Sequence, residues 1–209
     1  MTYLILSVAA VAAILLLSEY GWRRHWFDNE FGRKFVHITV GSFVAFWPFF
    51  LSWNQIRLLS VAFLIVVLIS TQLKIFRAIH SVQRPTYGEV CFALTVGILT
   101  FVTQNKGIYA AAVLQMSLAD GLAAMFGTRY GRKTSYHVAG HVKSIVGSLT
   151  FFIVSLVILA GYRALSGHDV PPAGLIAGAL TAAVLENLST LGVDNLVVPL
   201  FIGLLLTNL

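Results

Sequence analysis

The residues best suited to chemistry lie in the segment Ser117–Ser148, SLADGLAAMFGTRYGRKTSYHVAGHVKSIVGS. Asp120 falls within an apolar run, and a carboxylate inside a membrane-spanning helix is costly unless it faces the protein interior with a partner. Lys143 and Ser144 directly precede the next apolar run, and a helix N-terminus beside a cation binds anions. The segment therefore predicts a site for a nucleoside triphosphate and a metal at a membrane surface.

Between these two ends, the sequence predicts a basic loop with glycines at Gly127 and Gly131. Glycines let backbone N–H groups turn toward an anion, and arginine forms bidentate contacts with phosphate. A basic membrane-surface loop would carry the same charges for topological reasons alone. The prediction is strengthened by Lys143 and Ser144, where the chain enters the next apolar run. The candidate anion ligands are Gly127, Arg129, Gly131, Arg132, Lys143, Ser144, Gly147 and Ser148.

Three more acids, Glu89, Glu186 and Asp194, lie at ends of apolar runs on the same side as Asp120. Structural alternatives exist for Glu89, Asp194 and Asp120. Glu89 falls in the first turn of a predicted helix, where the helix dipole favours a carboxylate. Asp194 can be a solvated loop residue, and Asp120 can pair with a buried cation. Together the acids favour one polar site at one membrane face.

A fourth candidate group begins the second apolar run. Arg33, Lys34 and His37 share one helical face, and Gly41, one turn further, allows close approach of another helix. Anchoring at the membrane surface explains Arg33 and Lys34 as readily as ligand binding does. A histidine about one turn inside a span is a candidate functional residue.

Composition places these residues in an all-α, polytopic transmembrane bundle. Apolar residues make up 58% of the 209 residues and charged residues 11%, against about 25% charged in soluble domains. We predict seven to eight spanning helices within one domain, residues 1–209. The apolar runs are 3–18, 35–53, 57–73, 90–103, 107–127, 144–162, 172–190 and 195–208.

The net charge of +6 reports topology rather than nucleic-acid binding. Eleven of the fourteen Lys and Arg residues lie in the odd-numbered connections between runs. The positive-inside rule then places these connections in the cytoplasm and the N-terminus outside. The candidate site consequently faces the cytoplasm. The single Cys91 excludes a disulfide framework.

These motifs, in this order, resemble those of the phytol kinase and dolichol kinase family, which includes CTP-dependent diacylglycerol kinases. The phosphatidate cytidylyltransferases are more distantly similar. The resemblance runs from residue 33 to residue 200 and rests on Arg33-Lys34-x-x-His37 with Gly41; Asp120 with Gly127, Arg129 and Gly131; Lys143-Ser144-x-x-Gly147-Ser148; and Glu186 with Gly192-x-Asp194-Asn195 and Pro199-Leu200.

The resemblance implies a multi-span kinase that uses a nucleoside triphosphate, usually CTP, and a divalent cation such as Mg²⁺. Its acceptor would be a membrane lipid alcohol such as phytol, geranylgeraniol or a polyprenol. We predict Asp120, Asp194, Asn195 and Glu89 as metal ligands. We predict Asp120, Lys143, His37 and Glu186 as catalytic residues, and Arg33 and Lys34 as further nucleotide ligands.

Several alternatives stay open at this point. Asp120, Glu186 or His37 could serve as the base for the attacking hydroxyl, and the lipid tail is expected in an apolar groove that opens to the bilayer. A cytidylyltransferase would use a similar triphosphate site, although its family usually continues to a different tail from Asp194-Asn195-Leu196. A transporter would place its charges near the bilayer midplane. A non-catalytic scaffold would leave the pattern unexplained.

Overall fold

A computed structural model of the protein describes residues 1–24, 26, 29–73, 87–138, 140–167 and 170–209. The predicted all-α architecture is confirmed, with one short antiparallel hairpin added. The helices are α1 Thr2–Arg23, α2 Asn29–Ala45, α3 Trp53–Leu73, α4 Gly88–Val102, α5 Lys106–Leu114, α6 Asp120–Tyr130, α7 Ile145–Ser166, α8 Pro172–Leu188 and α9 Asp194–Asn208; the strands are β1 Ser135–Val138 and β2 His141–Ser144.

Within these ranges, four helices are long and apolar enough to cross a membrane: Thr2–Gly21, Trp53–Ser70, Lys106–Tyr130 and Ile145–Ser166. The shorter apolar helices α4, α8 and α9 have 15 to 17 residues, below the roughly 20 that cross an upright bilayer. The total of seven to eight spans and the outside N-terminus stay predictions.

The central element is the helix Lys106–Tyr130. In its most apolar stretch, 72% of the residues are buried inside the protein. The helix consists of α5, a π-helical turn at Gln115–Ala119, and α6. Such turns are frequent at functional sites. The buried Gln115 side chain donates to the carbonyl of Ser155 on α7 (3.3 Å). The central helix thus sets the positions of its neighbours.

The predicted loop at Gly127 is wrong, because α6 continues to Tyr130 and the Gly131 amide donates to the Gly127 carbonyl (2.9 Å). A side chain at Gly127 would place its Cβ 3.0 Å from Ser144 Oγ and 3.3 Å from Gly147 Cα. The glycines therefore let α6 pack closely against the start of α7. This packing outweighs the low helix propensity of glycine.

Helix α2 packs against the central helix through Gly41, as its small size predicts. A Cβ at Gly41 would overlap Ser117 Cβ in the π-helical turn and lie 3.2 Å from Phe92 on α4. A Cβ at Gly121 would likewise overlap the Ile38 side chain. These two glycines allow α2 to lie close enough for its polar residues to reach α6.

We expect Gly41→Ala to destabilise the protein, because overpacking at a closely packed position costs about 1–3 kcal/mol. The measurement is the thermal unfolding midpoint of the purified protein in detergent. Gly161→Ala on α7 is the matched control, since its Cβ would meet nothing within 4 Å. The control should keep or raise the midpoint. Equal midpoints for both variants would contradict the close packing at Gly41.

Candidate functional site

The structure brings most of the predicted polar residues around one cavity of about 540 Å³, within the usual range for ligand sites. Its walls come from the start of α2, from α6, from the β-hairpin with the start of α7, and from the end of α8 with the turn before α9. Four cations and three carboxylates line it: Arg33, Lys34, Arg132, Lys143, Asp120, Glu186 and Asp194.

Asp120 has the buried partner that an acid in an apolar helix requires. Lys34 Nζ donates to Asp120 Oδ2 at 2.7 Å, and both side chains are about nine-tenths buried. His37 Nε2 lies 3.7 Å from the same oxygen and donates to the Met116 carbonyl at 2.9 Å. The structural pairing considered for Asp120 is thus present, and it links α2 to the central helix.

A second ion pair joins Lys143 on β2 to Glu186 on α8. Lys143 Nζ also donates to the Glu186 carbonyl at 3.3 Å. Burial lowers the pKa of Lys143, but attraction to the Glu186 carboxylate and the hydrogen bond to it raise this pKa above its usual value. The ammonium group therefore stays charged and faces the cavity.

Three carboxylates converge between these lysines. One oxygen from each of Asp120, Glu186 and Asp194 lies within 4.8 Å of the others. Mg²⁺ prefers octahedral oxygen ligands at about 2.1 Å, so adjacent ligand oxygens lie about 3.0 Å apart and opposite ones about 4.2 Å apart. Side-chain rotations that bring the three oxygens closer together would give these spacings. The residues present consequently fit a divalent cation.

The start of α7 supplies hydrogen-bonding groups beside the cations. Ser144 Oγ accepts from the Gly147 amide (3.1 Å) and caps the helix, as its position predicts. Ser148 Oγ lies 2.6 Å from Tyr136 Oη and donates to Asn187 Oδ1 at 3.0 Å. Tyr136 Oη also donates to Asn187 Oδ1 at 2.5 Å. The hairpin, α7 and α8 are therefore joined at the cavity wall.

Sequence reasoning did not identify Tyr136 or Asn187. Tyr136 pairs with Lys143 across the hairpin, so its side chain reaches the site only through tertiary structure. Asn187 follows Glu186 in an otherwise apolar helix. That amide next to a candidate acid is the signal that could have indicated it.

Twelve of the predicted site residues line the cavity, and four do not. Arg129 is exposed, with its guanidinium 5.7 Å from the centre of the Tyr130 ring. His37, Glu89 and Asn195 line a second cavity of about 90 Å³, whose wall also includes Arg33. The twelve in the large cavity are Arg33, Lys34, Asp120, Gly127, Gly131, Arg132, Lys143, Ser144, Gly147, Ser148, Glu186 and Asp194.

Asn195 holds α9 against α4. Its Nδ2 donates to the Gly88 carbonyl (3.1 Å), and its own carbonyl accepts from Thr95 Oγ1 (2.7 Å). Its buried Oδ1 has no hydrogen-bond partner within the described part of the chain. Asn195 thus offers an acceptor atom at the wall of the second cavity.

Comparison with known proteins gives two relatives. A phytol kinase of Synechocystis sp. is 33% identical over 202 residues, which cover 93% of this chain and 86% of that protein. A protein of Oryza sativa subsp. japonica named "Probable phytol kinase 2, chloroplastic" is 26% identical. This match covers 93% of this chain and 71% of the length of that protein. No protein-family model matches the chain, and no solved structure matches it.

We expect Asp194→Asn to weaken divalent-cation binding by about tenfold or more, because it removes one carboxylate of the cluster. The asparagine retains an oxygen that can accept from the Asn195 amide, as Asp194 does. Electron paramagnetic resonance of Mn²⁺ added to the purified protein measures the change. Glu89→Gln is the matched control, since Glu89 lines the second cavity. An equal loss in the control would contradict the three-carboxylate site.

Proposed function

The chain belongs to the phytol kinase family, and on this premise we propose that it phosphorylates the hydroxyl group of a membrane prenol with a nucleoside triphosphate. The observation that carries the proposal is a cavity in which four cations surround three carboxylates, beside a second cavity lined largely by apolar residues. The first suits a triphosphate with its metal, and the second suits a lipid alcohol.

In this proposal the cations neutralise the phosphate groups. Lys143 and Lys34 act as point charges, and Arg33 and Arg132 offer planar pairs of donors. The lysines also hold Glu186 and Asp120. A bound triphosphate would give both ammonium groups new oxygen partners and leave the carboxylates available to a cation.

The residues that would hold Mg²⁺ are Asp120, Glu186 and Asp194. When bound, the ion supplies positive charge to the phosphate oxygens. The protein's own residues then position the donor. Ser148 lies at the same wall, and its contacts with Tyr136 and Asn187 orient the start of α7.

Transfer requires the alcohol oxygen to form a bond to the γ-phosphorus as the bond to the nucleoside diphosphate breaks. The hydroxyl proton leaves to a base. Among the three candidate bases, His37 lines the second cavity, whereas Asp120 and Glu186 each hold a lysine. We assign His37 as the group that receives this proton.

The donor in our proposal is CTP, as the family resemblance implies, and the site faces the cytoplasm, as the distribution of Lys and Arg indicates. The acceptor class follows from the names of the relatives. Two related activities are cytidylyl transfer to phosphatidate and phosphorylation of diacylglycerol. The identity of the lipid that becomes labelled from CTP distinguishes both of them from prenol phosphorylation.

We expect the purified protein to transfer label from γ-labelled CTP to phytol or geranylgeraniol. Asp120→Asn should lower the rate by at least about a hundredfold, because charge stabilisation at the transferred group is lost. Asp194→Asn is the second variant, since Asp120→Asn leaves Lys34 as an unpaired buried charge. Label in the lipid from α-labelled CTP, or activity kept by both folded variants, would contradict the proposal.

We also expect Arg132→Ala and Arg129→Ala to differ. Arg132 lines the cavity, so its loss should raise the KM for the nucleotide about tenfold, as expected for a lost charged hydrogen bond. Arg129 is exposed beside Tyr130, so its loss should leave the KM within about twofold. Steady-state kinetics at saturating prenol tests both. A larger effect of Arg129→Ala would place the triphosphate outside the cavity.

A further inference from the structure

We propose that the prenyl chain of the acceptor binds in an apolar groove between α1, α2, α3 and α4, with its hydroxyl held between His37 and Asn195. This inference rests on the proposed function and adds the location of the lipid. The groove consists of the cavity that contains His37 and of a further cavity of about 370 Å³.

The two cavities adjoin each other. Their walls share six apolar residues from the four helices: Val11, Leu15, Val40, Phe63, Val66 and Phe92. The larger cavity is lined almost wholly by apolar side chains. Its one polar hydroxyl, on Ser60, is already bonded to the Ala93 carbonyl (3.2 Å). The larger cavity therefore offers hydrocarbon an almost wholly apolar surface.

The groove runs along α2 from Arg33 to Val44. At 1.5 Å per helical residue this distance is about 16 Å. Residues of α4 follow the same direction. Glu89 lines the cavity that contains His37, here called the inner cavity, and Val96 lines the larger apolar cavity, here called the outer cavity. Most of α1 is exposed, so a chain can enter from the bilayer beside this helix. Such a groove suits an extended isoprenoid chain with its hydroxyl at the Arg33 end.

The inner end of the groove offers two acceptor atoms to a hydroxyl. Asn195 Oδ1 is buried and has no partner within the described residues, although a buried acceptor is unfavourable when left unpaired. His37 donates from Nε2 to the Met116 carbonyl, so Nδ1 is the acceptor nitrogen of the neutral ring. An alcohol O–H satisfies either atom, whereas a hydrocarbon end satisfies neither.

The same end adjoins the cavity for the triphosphate. Arg33 lines both cavities. His37 Nε2 lies 3.7 Å from Asp120 Oδ2, and Asp120 lines the large polar cavity. A hydroxyl held at His37 is thus one side chain away from the proposed phosphate site. The groove consequently brings a membrane-soluble acceptor to a water-soluble donor.

The test places a bulky side chain in the groove by a substitution on α1. Ala12 lines the outer cavity, and Ala12→Trp should exclude the far end of a long chain. Its matched control is Ala13→Trp, because Ala13 is exposed on the same helix and outside both cavity walls. The readout is kcat/KM for geraniol, farnesol and geranylgeraniol, together with the Kd for CTP.

Each apolar carbon removed from the groove weakens binding by about fourfold. Ala12→Trp should therefore lower the ratio of kcat/KM for geranylgeraniol over geraniol by at least about tenfold. Ala13→Trp should leave the ratio unchanged, and both variants should bind CTP like the parent protein. An unchanged ratio in Ala12→Trp would overturn the groove assignment.

A photolabelling experiment separates failure of the groove from failure of the proposed function. A prenol with a diazirine at the tail end, irradiated with the parent protein and digested, should label peptides that contain Val8–Leu16 or Val40–Trp47. This result supports the groove even if no prenol is phosphorylated. Labelling confined to α7 or α8 would overturn the groove while leaving kinase activity intact.

Discussion

The buried ion pair between Lys34 and Asp120 is the interaction on which the arrangement of helices depends. An isolated charge in a low-dielectric interior is strongly unfavourable, so each of these residues requires the other. The 2.7 Å contact holds α2 and the central helix in one rotational setting. Gly41 and Gly121 allow that setting, because side chains there would overlap Ser117 and Ile38.

The same requirement organises the opposite wall of the site. Lys143 and Glu186 pair across β2 and α8, and the Tyr136 hydroxyl ties the hairpin to Asn187. Two lysines thus hold two of the three clustered carboxylates. A metal-bound triphosphate offers both signs of charge and can replace these contacts without leaving a charge unpaired. The ion pairs that stabilise the fold can therefore also prepare the site for its ligand.

Much of this organisation is readable from residue types and spacing. Asp120 in an apolar run predicts a buried partner, and Gly41 one turn after His37 predicts a close helix contact. Ser144 predicts a helix start. The helical architecture also follows from composition. In contrast, the Gly127–Gly131 pair predicts a loop, and the structure has a helix there because these glycines pack against Ser144 and Gly147.

The sequence by itself determined that charged residues lie at the ends of apolar helices, since burial of an unpaired charge is too costly to occur by chance. Only the tertiary structure decided which of them meet. Arg132 reaches the cavity and Arg129, three residues earlier, does not, because α6 ends at Tyr130. Glu89 and Asn195 line the smaller cavity and Asp194 the larger one. These partitions depend on helix rotation and packing between distant segments, which local spacing does not encode.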